Sequence, residues 1–432
     1  MKNNKNTFDI LISGGGLAGS LLALSLADLT KADGSLLSIA IVETAQPNTE
    51  KESANATPLF DERVLALSHG SADYLKKMGV WQYLSDDACA IEKIDISDRG
   101  HYGKARIEAQ EHGVSALGYV IEMALIGKAQ LKALAHKSNV HWFSPDRIID
   151  INWQADAHEI DQKTDQKGRV EVKLDSGQSV QASLLLACDG VNSPCRQLAG
   201  IKVNQSDYQQ VALIANVATQ NPHNNKAFER FTEFGPLAML PLTKLKRKQK
   251  NALSNEQNTD NRCSLVWTMT PEQSEHVLAL TDDEFKQQLE TAFGSWLGAI
   301  TVAGKRVVYP LVLLQATQQT YHRMALIGNA SHTIHPIAGQ GFNLGLRDVQ
   351  VMTELLKKCL QTNSDIGSFS MLNDYAQQRQ LDQKQVIELT DSLVTLFAND
   401  LPPLVAGRNI GLKVMNYVYP LKNTLVNKLM GY

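Results

Sequence analysis

The residues best suited to chemistry in this chain lie in three glycine-rich turns. In each, an apolar run gives way to a helical pattern. The first turn is Gly14-Gly15-Gly16-Leu17-Ala18-Gly19, and the second is Asp189-Gly190-Val191-Asn192-Ser193-Pro194-Cys195-Arg196. The third is longer, running from Gly328 and Asn329 through His332, His335 and Pro336 to Gly339-Gln340-Gly341-Phe342-Asn343. Glycine there lets the backbone come close to a ligand, and the first N–H groups of a helix have no internal partner. A helix start therefore favours negative charge on whatever rests against it. Such turns suit a phosphorylated cofactor.

The elements around the turns must hold them in place. Phe8–Ser13 reads as a buried strand, Ser20–Leu29 as an apolar helix, and Ser38–Val42 as a second strand ending at Glu43. This is G-x-G-x-x-G in its strand–turn–helix context. Gly14 permits the tight turn, Gly16 lets a pyrophosphate approach, Gly19 lets helix and strand pack, and Glu43 would accept ribose hydroxyls. Glu43 lies a little beyond the typical ~20 residues, and the polar loop Thr30–Ser35 accounts for the excess. One such unit does not separate FAD from NAD. Arg63 precedes a predicted helix, Gly70–Met78, and could reach dinucleotide phosphates as a charge-assisted donor. Asp189 follows the strand Ser179–Leu186, at a carboxyl end where α/β folds place ligand contacts, with Ser193 and Arg196 on a short helix beyond. The third turn opens from the strand Met324–Ile327 and closes in a helix marked by Phe342, Leu344, Leu346, Val349 and Met352.

The remaining chain frames these turns. With 42 basic and 45 acidic residues among 432, nothing suggests nucleic-acid binding. The N-terminus has no apolar leader core and no run is long enough to span a bilayer, so a cytoplasmic protein is expected. Five cysteines without CxxC pairing argue for reduced thiols and against a metal site. Residues 139 to 187 read as a meander of short strands. Lys202 to Pro310 reads as a mostly antiparallel sheet with a helix over Thr281–Leu297. Within it, Lys244–Arg262 reads as a solvated hairpin loop. There is no second GxGxxG and so no separate NADPH domain. Leu401–Tyr432 carries lysine and arginine but no Asp or Glu, beside a broad apolar face. It suits either peripheral contact with the inner face of a membrane or packing on protein.

Taken in order, the three turns resemble those of the single-component flavoprotein aromatic hydroxylases. HPIAGQGFNLGLRD (335–348) and SDRGHYGKARIEAQEHGVSALGYVIE (97–122) resemble the ubiquinone-biosynthesis FAD-dependent hydroxylase family, over nearly the whole chain. The resemblance implies an α/β fold: a Rossmann-like FAD-binding domain of the para-hydroxybenzoate hydroxylase type, an antiparallel-sheet substrate domain and a C-terminal helical segment. The FAD-binding domain would be discontinuous, over 1–80, 112–200 and 310–365. The substrate domain would take 81–111 and 201–309, and the helical region 366–432.

It also implies hydroxylation of a polyprenylated methoxyphenol ring, with FAD bound, NAD(P)H as a transient co-substrate and O2 as the oxygen source. Gly14, Gly16, Gly19, Glu43, Arg63, Asp189, Gly190, Gly328, Asn329, Gly339, Gln340, Gly341 and Asn343 would hold the cofactor, the last four beside the flavin ring. Pro336 would shape the wall over the flavin's reactive edge, and His335 would orient the loop or polarise the phenol. Asn329 departs from the wider class, which has Asp there to hold a ribityl hydroxyl. No general base is evident. A prenyl phenol and other proteins of the pathway are the implied partners. A flavin reductase, a halogenase (whose WxWxIP motif is absent) and a non-catalytic FAD-bound subunit are the competing expectations.

Overall fold

A computed structural model describes residues 6–47, 63–98, 100, 103–153, 168–232, 235–244, 261–334, 339–397, 409, 411 and 419–431. The chain enters through β1 (Asn6–Ser13), α1 (Leu17–Ala27) and β2 (Ile39–Val42). Ile10, Leu11 and Ile12 are fully buried, as expected of a parallel strand covered on both faces. Helix α1 is buried from Gly19 to Ala27, so its sequence is apolar all round instead of striped.

Next come β3 (Val64–Ser68), α2 (His69–Lys77), β4 (Cys89–Ile91), β5 (Lys93–Asp98), β6 (Lys104–Glu108) and β7 (Gly118–Glu122). Helix α3 (Met123–Leu134) then leads to β8 (Val140–Phe143), β9 (Ile148–Asn152), β10 (Val170–Leu174), β11 (Ser179–Ala187) and α4 (Pro194–Leu198). The expected meander over 139–187 is only partly present. β9, β10 and β11 are antiparallel neighbours, but β8 pairs parallel to β2, with Ile39 opposite Val140. The reason is α3, which packs on α1 and carries the chain across to that edge of the sheet. A short apolar strand reads the same whichever neighbour it joins.

The second sheet takes β12 (Val203–Thr219), β13 (Lys226–Thr232), β14 (Gly235–Pro241), β15 (Arg262–Met269), β16 (Ile300–Ala303) and β17 (Val307–Ala316). β18 (Thr320–Tyr321) and β19 (Met324–Leu326) return to the first sheet, and β20 (His332–Thr333) pairs with β17. The first sheet therefore runs β18-β19-β11-β1-β2-β8, and the second β20-β17-β12-β15-β14-β13-β5-β6. β3, β7 and β4 form a small third sheet. β14 and β15 pair antiparallel with Pro241 opposite Cys263, the hairpin expected around Lys244–Arg262, whose residues 245–260 lie outside the described ones.

One face of the second sheet is sealed by α5 (Pro271–Ala279) and α6 (Asp282–Phe293), with Leu237, Met239, Leu265, Phe285 and Leu289 in one core. The expected helix over Thr281–Leu297 is shorter, because Gly294 at φ 92 stops it. Helix α5 was not anticipated; Thr270 and Gln273 start it with a reciprocal capping box.

The chain ends in α7 (Gln340–Gln361), α8 (Phe369–Phe397) and α9 (Tyr419–Met430). The described part of the basic C-terminal segment packs on protein. Val426 and Met430 join Ile107, Ala109 and Leu117 in one cluster, Lys422 pairs with Glu111, and Asn423 contacts His112 at 3.0 Å. Among the described residues no helix is long and apolar enough to cross a membrane.

Candidate cofactor and active site

β2, β1, β11 and β19 are parallel neighbours, so their carboxyl ends lie side by side. From those ends project Glu43, Gly14–Gly16, Asp189–Gly190 and Gly328–Asn329. Four stretches far apart in sequence thereby meet at one edge, the place where open α/β sheets bind ligands.

The first turn is shaped by close approach. A Cβ on Gly14 would stand 2.6 Å from the Cys188 carbonyl oxygen, and one on Gly19 would stand 1.9 Å from the Gly14 oxygen. A Cβ on Gly16 would meet none of the described residues within 4 Å, leaving open space where a phosphate would approach. Gly15 is constrained too, although its spacing assigned it no role. Its Cβ would stand 2.5 Å from the Trp142 ring, and its N–H donates to Glu43 Oε2 at 2.7 Å. Glu43 Oε1 accepts the Thr44 hydroxyl at 2.9 Å and the Ala45 N–H at 3.0 Å. These occupy three of the carboxylate's roughly four acceptor positions, leaving one for a ligand hydroxyl.

In the second turn, Asp189 Oδ2 accepts from the Ser13 hydroxyl at 3.2 Å and from the Cys195 N–H at 3.1 Å. Oδ1 is buried and has no hydrogen-bond partner among the described residues. Ser193 caps α4 by accepting the Arg196 N–H at 3.0 Å. Arg196 is buried and donates to the carbonyls of Ala330 at 2.8 Å and Val191 at 2.7 Å, tying the second turn to the third.

Gly328 adopts φ 62, and a Cβ on Gly345 would stand 3.2 Å from its Cα, so the turn and α7 are in backbone contact. Asp348, quoted in the sequence motif but given no role there, lies at the centre of this contact. It accepts the Gly328 N–H at 2.7 Å, His332 Nε2 at 2.9 Å and Arg379 Nε at 2.6 Å. Burial pushes its carboxyl upward, but His332, Arg379 and the Gly328 N–H outweigh that and hold it below the usual range. His332 is thus engaged within the protein. Asn329 is exposed beside the turn.

At the start of α7, Gly339 takes φ 63, and a Cβ there would stand 2.8 Å from that of Ala66. Asn343 donates to the carbonyls of Ala66 at 2.9 Å and Gly339 at 2.8 Å, and accepts the Ser68 N–H at 2.9 Å. Its amide fixes the helix start to β3, and the residue also lines the cavity described below. Arg63 stands exposed one residue before β3. His335 and Pro336 lie outside the described residues.

Gly339, Gln340 and Gly341 form one wall of a cavity of about 410 Å³. That volume is within the roughly 300–1,000 Å³ of small-molecule sites. Most of its other walls are apolar: Ile96, Ala238, Leu240 and Val266 from the second sheet, and Leu425 and Leu429 from α9. Glu229 also lines it, and sequence reasoning gave that residue no part.

Comparison with known proteins identifies the framework. The family described as FAD binding domain matches residues 7–390. The chain belongs to that family. Ubiquinone hydroxylase UbiL of Rhodospirillum rubrum is 32% identical over 428 residues, covering 98% of this chain and 89% of that one. The 3-demethoxyubiquinol 3-hydroxylase of Escherichia coli is 29% identical over 425 residues, covering 98% of each. Among solved structures, p-nitrophenol 4-monooxygenase PnpA from Pseudomonas putida superposes with a TM-score of 0.72 at 16% identity over 99% of each chain, a likeness of fold. The fold is the Rossmann-like FAD-binding type of para-hydroxybenzoate hydroxylase, and the chain is a flavoprotein monooxygenase using FAD, NAD(P)H and O2.

Membership of the FAD binding domain family implies bound FAD, and the residues fit it. The space before Gly16 is open, Asp189 Oδ1 is a buried acceptor awaiting a donor, and the α7 start opens onto an apolar chamber. Bound FAD would supply the electron and oxygen chemistry. Gly14–Gly16 and the α1 start would hold its pyrophosphate, Glu43 its ribose, and Gly339–Gly341 the flavin ring.

Proposed function

We propose that this monooxygenase hydroxylates the ring of a polyprenylated methoxyphenol in ubiquinone biosynthesis, the type of step performed on 2-octaprenyl-6-methoxyphenol. The observation that carries the reading is the apolar cavity of about 410 Å³ that begins at Gly339–Gly341. A phenol head would sit in the chamber beside the flavin ring held at the α7 start, whose N–H groups favour negative charge developing there. Ile96, Ala238 and Leu240 would hold the ring and its first prenyl units, and Leu425 and Leu429 of α9 would keep water out. In this reading the first sheet with α1 and α7 serves the cofactor and the second sheet serves the substrate. The names of the relatives support the pathway, and Asn329 with the 97–122 stretch supports the methoxyphenol step.

Another ring position in the same pathway is the second reading, favoured by the likeness to the 3-demethoxyubiquinol enzyme. One experiment separates them. The gene is placed in strains each blocked at one ring hydroxylation, and the intermediates are identified by mass. Restored ubiquinone in the strain that accumulates the prenylated methoxyphenol supports the proposal; restoration only in another strain assigns the other step.

A further inference from the structure

The cavity wall contains one feature that an apolar substrate pocket does not need. Strand β13 directs Ala227, Glu229 and Phe231 into the chamber, so Glu229 stands with Ala238 of β14 on one side and Ile96 of β5 on the other. The same cross-strand row continues through Val266 and Ile214. A carboxyl thus occupies the middle of an otherwise hydrophobic row. Among the described residues lining the cavity it is the one ionisable group, and none of them gives it a hydrogen bond or an ion pair.

We propose that Glu229 receives the substrate's ring hydroxyl, first as hydrogen-bond acceptor and then as proton acceptor. This rests on the phenol reading above. As the proton passes from the ring oxygen to a Glu229 carboxylate oxygen the ring becomes electron-rich, and its electron pair forms the bond between a ring carbon and the transferred oxygen, leaving the ring oxygen as a ketone. The proton returns to that oxygen as the ring carbon loses its own hydrogen as a proton, which ends in the water released by the overall reaction. NAD(P)H and O2 supply the electrons and the oxygen atom.

The surroundings suit this role. Burial pushes the Glu229 carboxyl up to about 7, and a base is most effective near the working pH. Charges on adjoining elements are engaged elsewhere. Lys226 pairs with Asp95 at 3.0 Å, and Arg230 lies over the Trp296 ring, both from the opposite face of β13. Asp98, further along β5, accepts from Asn409 at 3.3 Å. Arg262 of β15 pairs with Glu122 of β7 at 3.0 Å, and Lys422 of α9 with Glu111. A carboxyl in an apolar wall with no partner among the described residues is costly to the fold, which points to retention for function.

The test uses FAD-loaded enzyme, NADPH and a farnesylated 2-methoxyphenol, with product followed across pH. In the wild type, turnover should rise as pH climbs through about 7, because the base must be ionised. Glu229→Gln should lose about 100-fold or more and that pH limb, while Glu229→Asp recovers part of both. Glu229→Leu should be equally slow yet melt at an equal or higher temperature. A Glu229→Gln enzyme with wild-type rate and pH profile overturns the proposal. So does loss of FAD or of cooperative melting in all three variants, which would make Glu229 a folding residue. If wild-type enzyme with full FAD does not hydroxylate the probe, the substrate reading itself fails, and Glu229's role with it.

Discussion

Asp348 on α7 accepts the backbone N–H of Gly328 at 2.7 Å, twenty residues earlier in the chain. This bond joins the helix whose first turn borders the cavity to the turn that follows β19. Arg379 of α8 donates to the other carboxylate oxygen at 2.6 Å and continues to Asp382 and to the Leu344 carbonyl. The position of Gly339–Gly341 relative to Gly328 and Asn329 is therefore set by one buried charge network.

Removing the carboxylate should leave buried Arg379 with Asp382 alone as counter-charge, and His332 and the Gly328 N–H without their acceptor. We expect Asp348→Ala to lose about 3–5 kcal/mol of stability and to release FAD readily. Denaturant unfolding and the flavin-to-protein ratio measure the two effects. The pH dependence has a defined sign. The folded carboxyl titrates below its ordinary 3.8, so its contribution is complete above that value and fades as pH falls through the lower, folded one. Asp348→Asn should lack that acid-side component.

Gly16 and Gly19 separate cofactor contact from packing. A Cβ at Gly19 collides with the Gly14 oxygen at 1.9 Å, so Gly19→Ala should destabilise the protein even without flavin. A Cβ at Gly16 meets no atom of the described residues within 4 Å. Gly16→Ala should melt like the wild-type apoprotein but retain little FAD. Equal melting of both apoproteins would remove the distinction.

Helix α9 is expected to act as a water barrier over the cavity. Its Leu425 and Leu429 line the chamber, and Lys422 with Glu111 holds the helix in place. Lys422→Ala should loosen it. NADPH consumption should continue while a larger share of the oxygen appears as hydrogen peroxide in place of product. Unchanged coupling of NADPH to product would show that α9 does not close the site.

Much of the glycine framework at the candidate cofactor site was legible in the sequence because it is encoded locally. GGGLAG lies between an apolar strand and an apolar helix, and its glycines answer to contacts within a few residues of chain or at the next strand end. The partner of β8 was not legible, since Val140–Phe143 carries no mark of which edge it joins. Helix α5 escaped notice because only Ser274 and Val277 of its residues are buried, too few for a periodic stripe. Asp348 was visible as a letter in a motif, but His332 and Arg379, which explain it, come from other elements. Glu229 looked like one charge in a half-polar strand. Only the register of β13 between β14 and β5 turns it into the cavity.

The central claim is that oxygen from O2 is placed on a prenylated methoxyphenol ring. The most direct measurement supplies heavy-oxygen-labelled O2, NADPH and a farnesylated 2-methoxyphenol to the FAD-loaded enzyme and determines the product's mass and ring position. With both positions beside the hydroxyl substituted by the prenyl chain and the methoxy group, the account predicts a 1,4-hydroquinone-type product carrying the label, formed in step with NADPH consumption. Recovery of all consumed oxygen as hydrogen peroxide, or a product whose new oxygen is unlabelled, would contradict it.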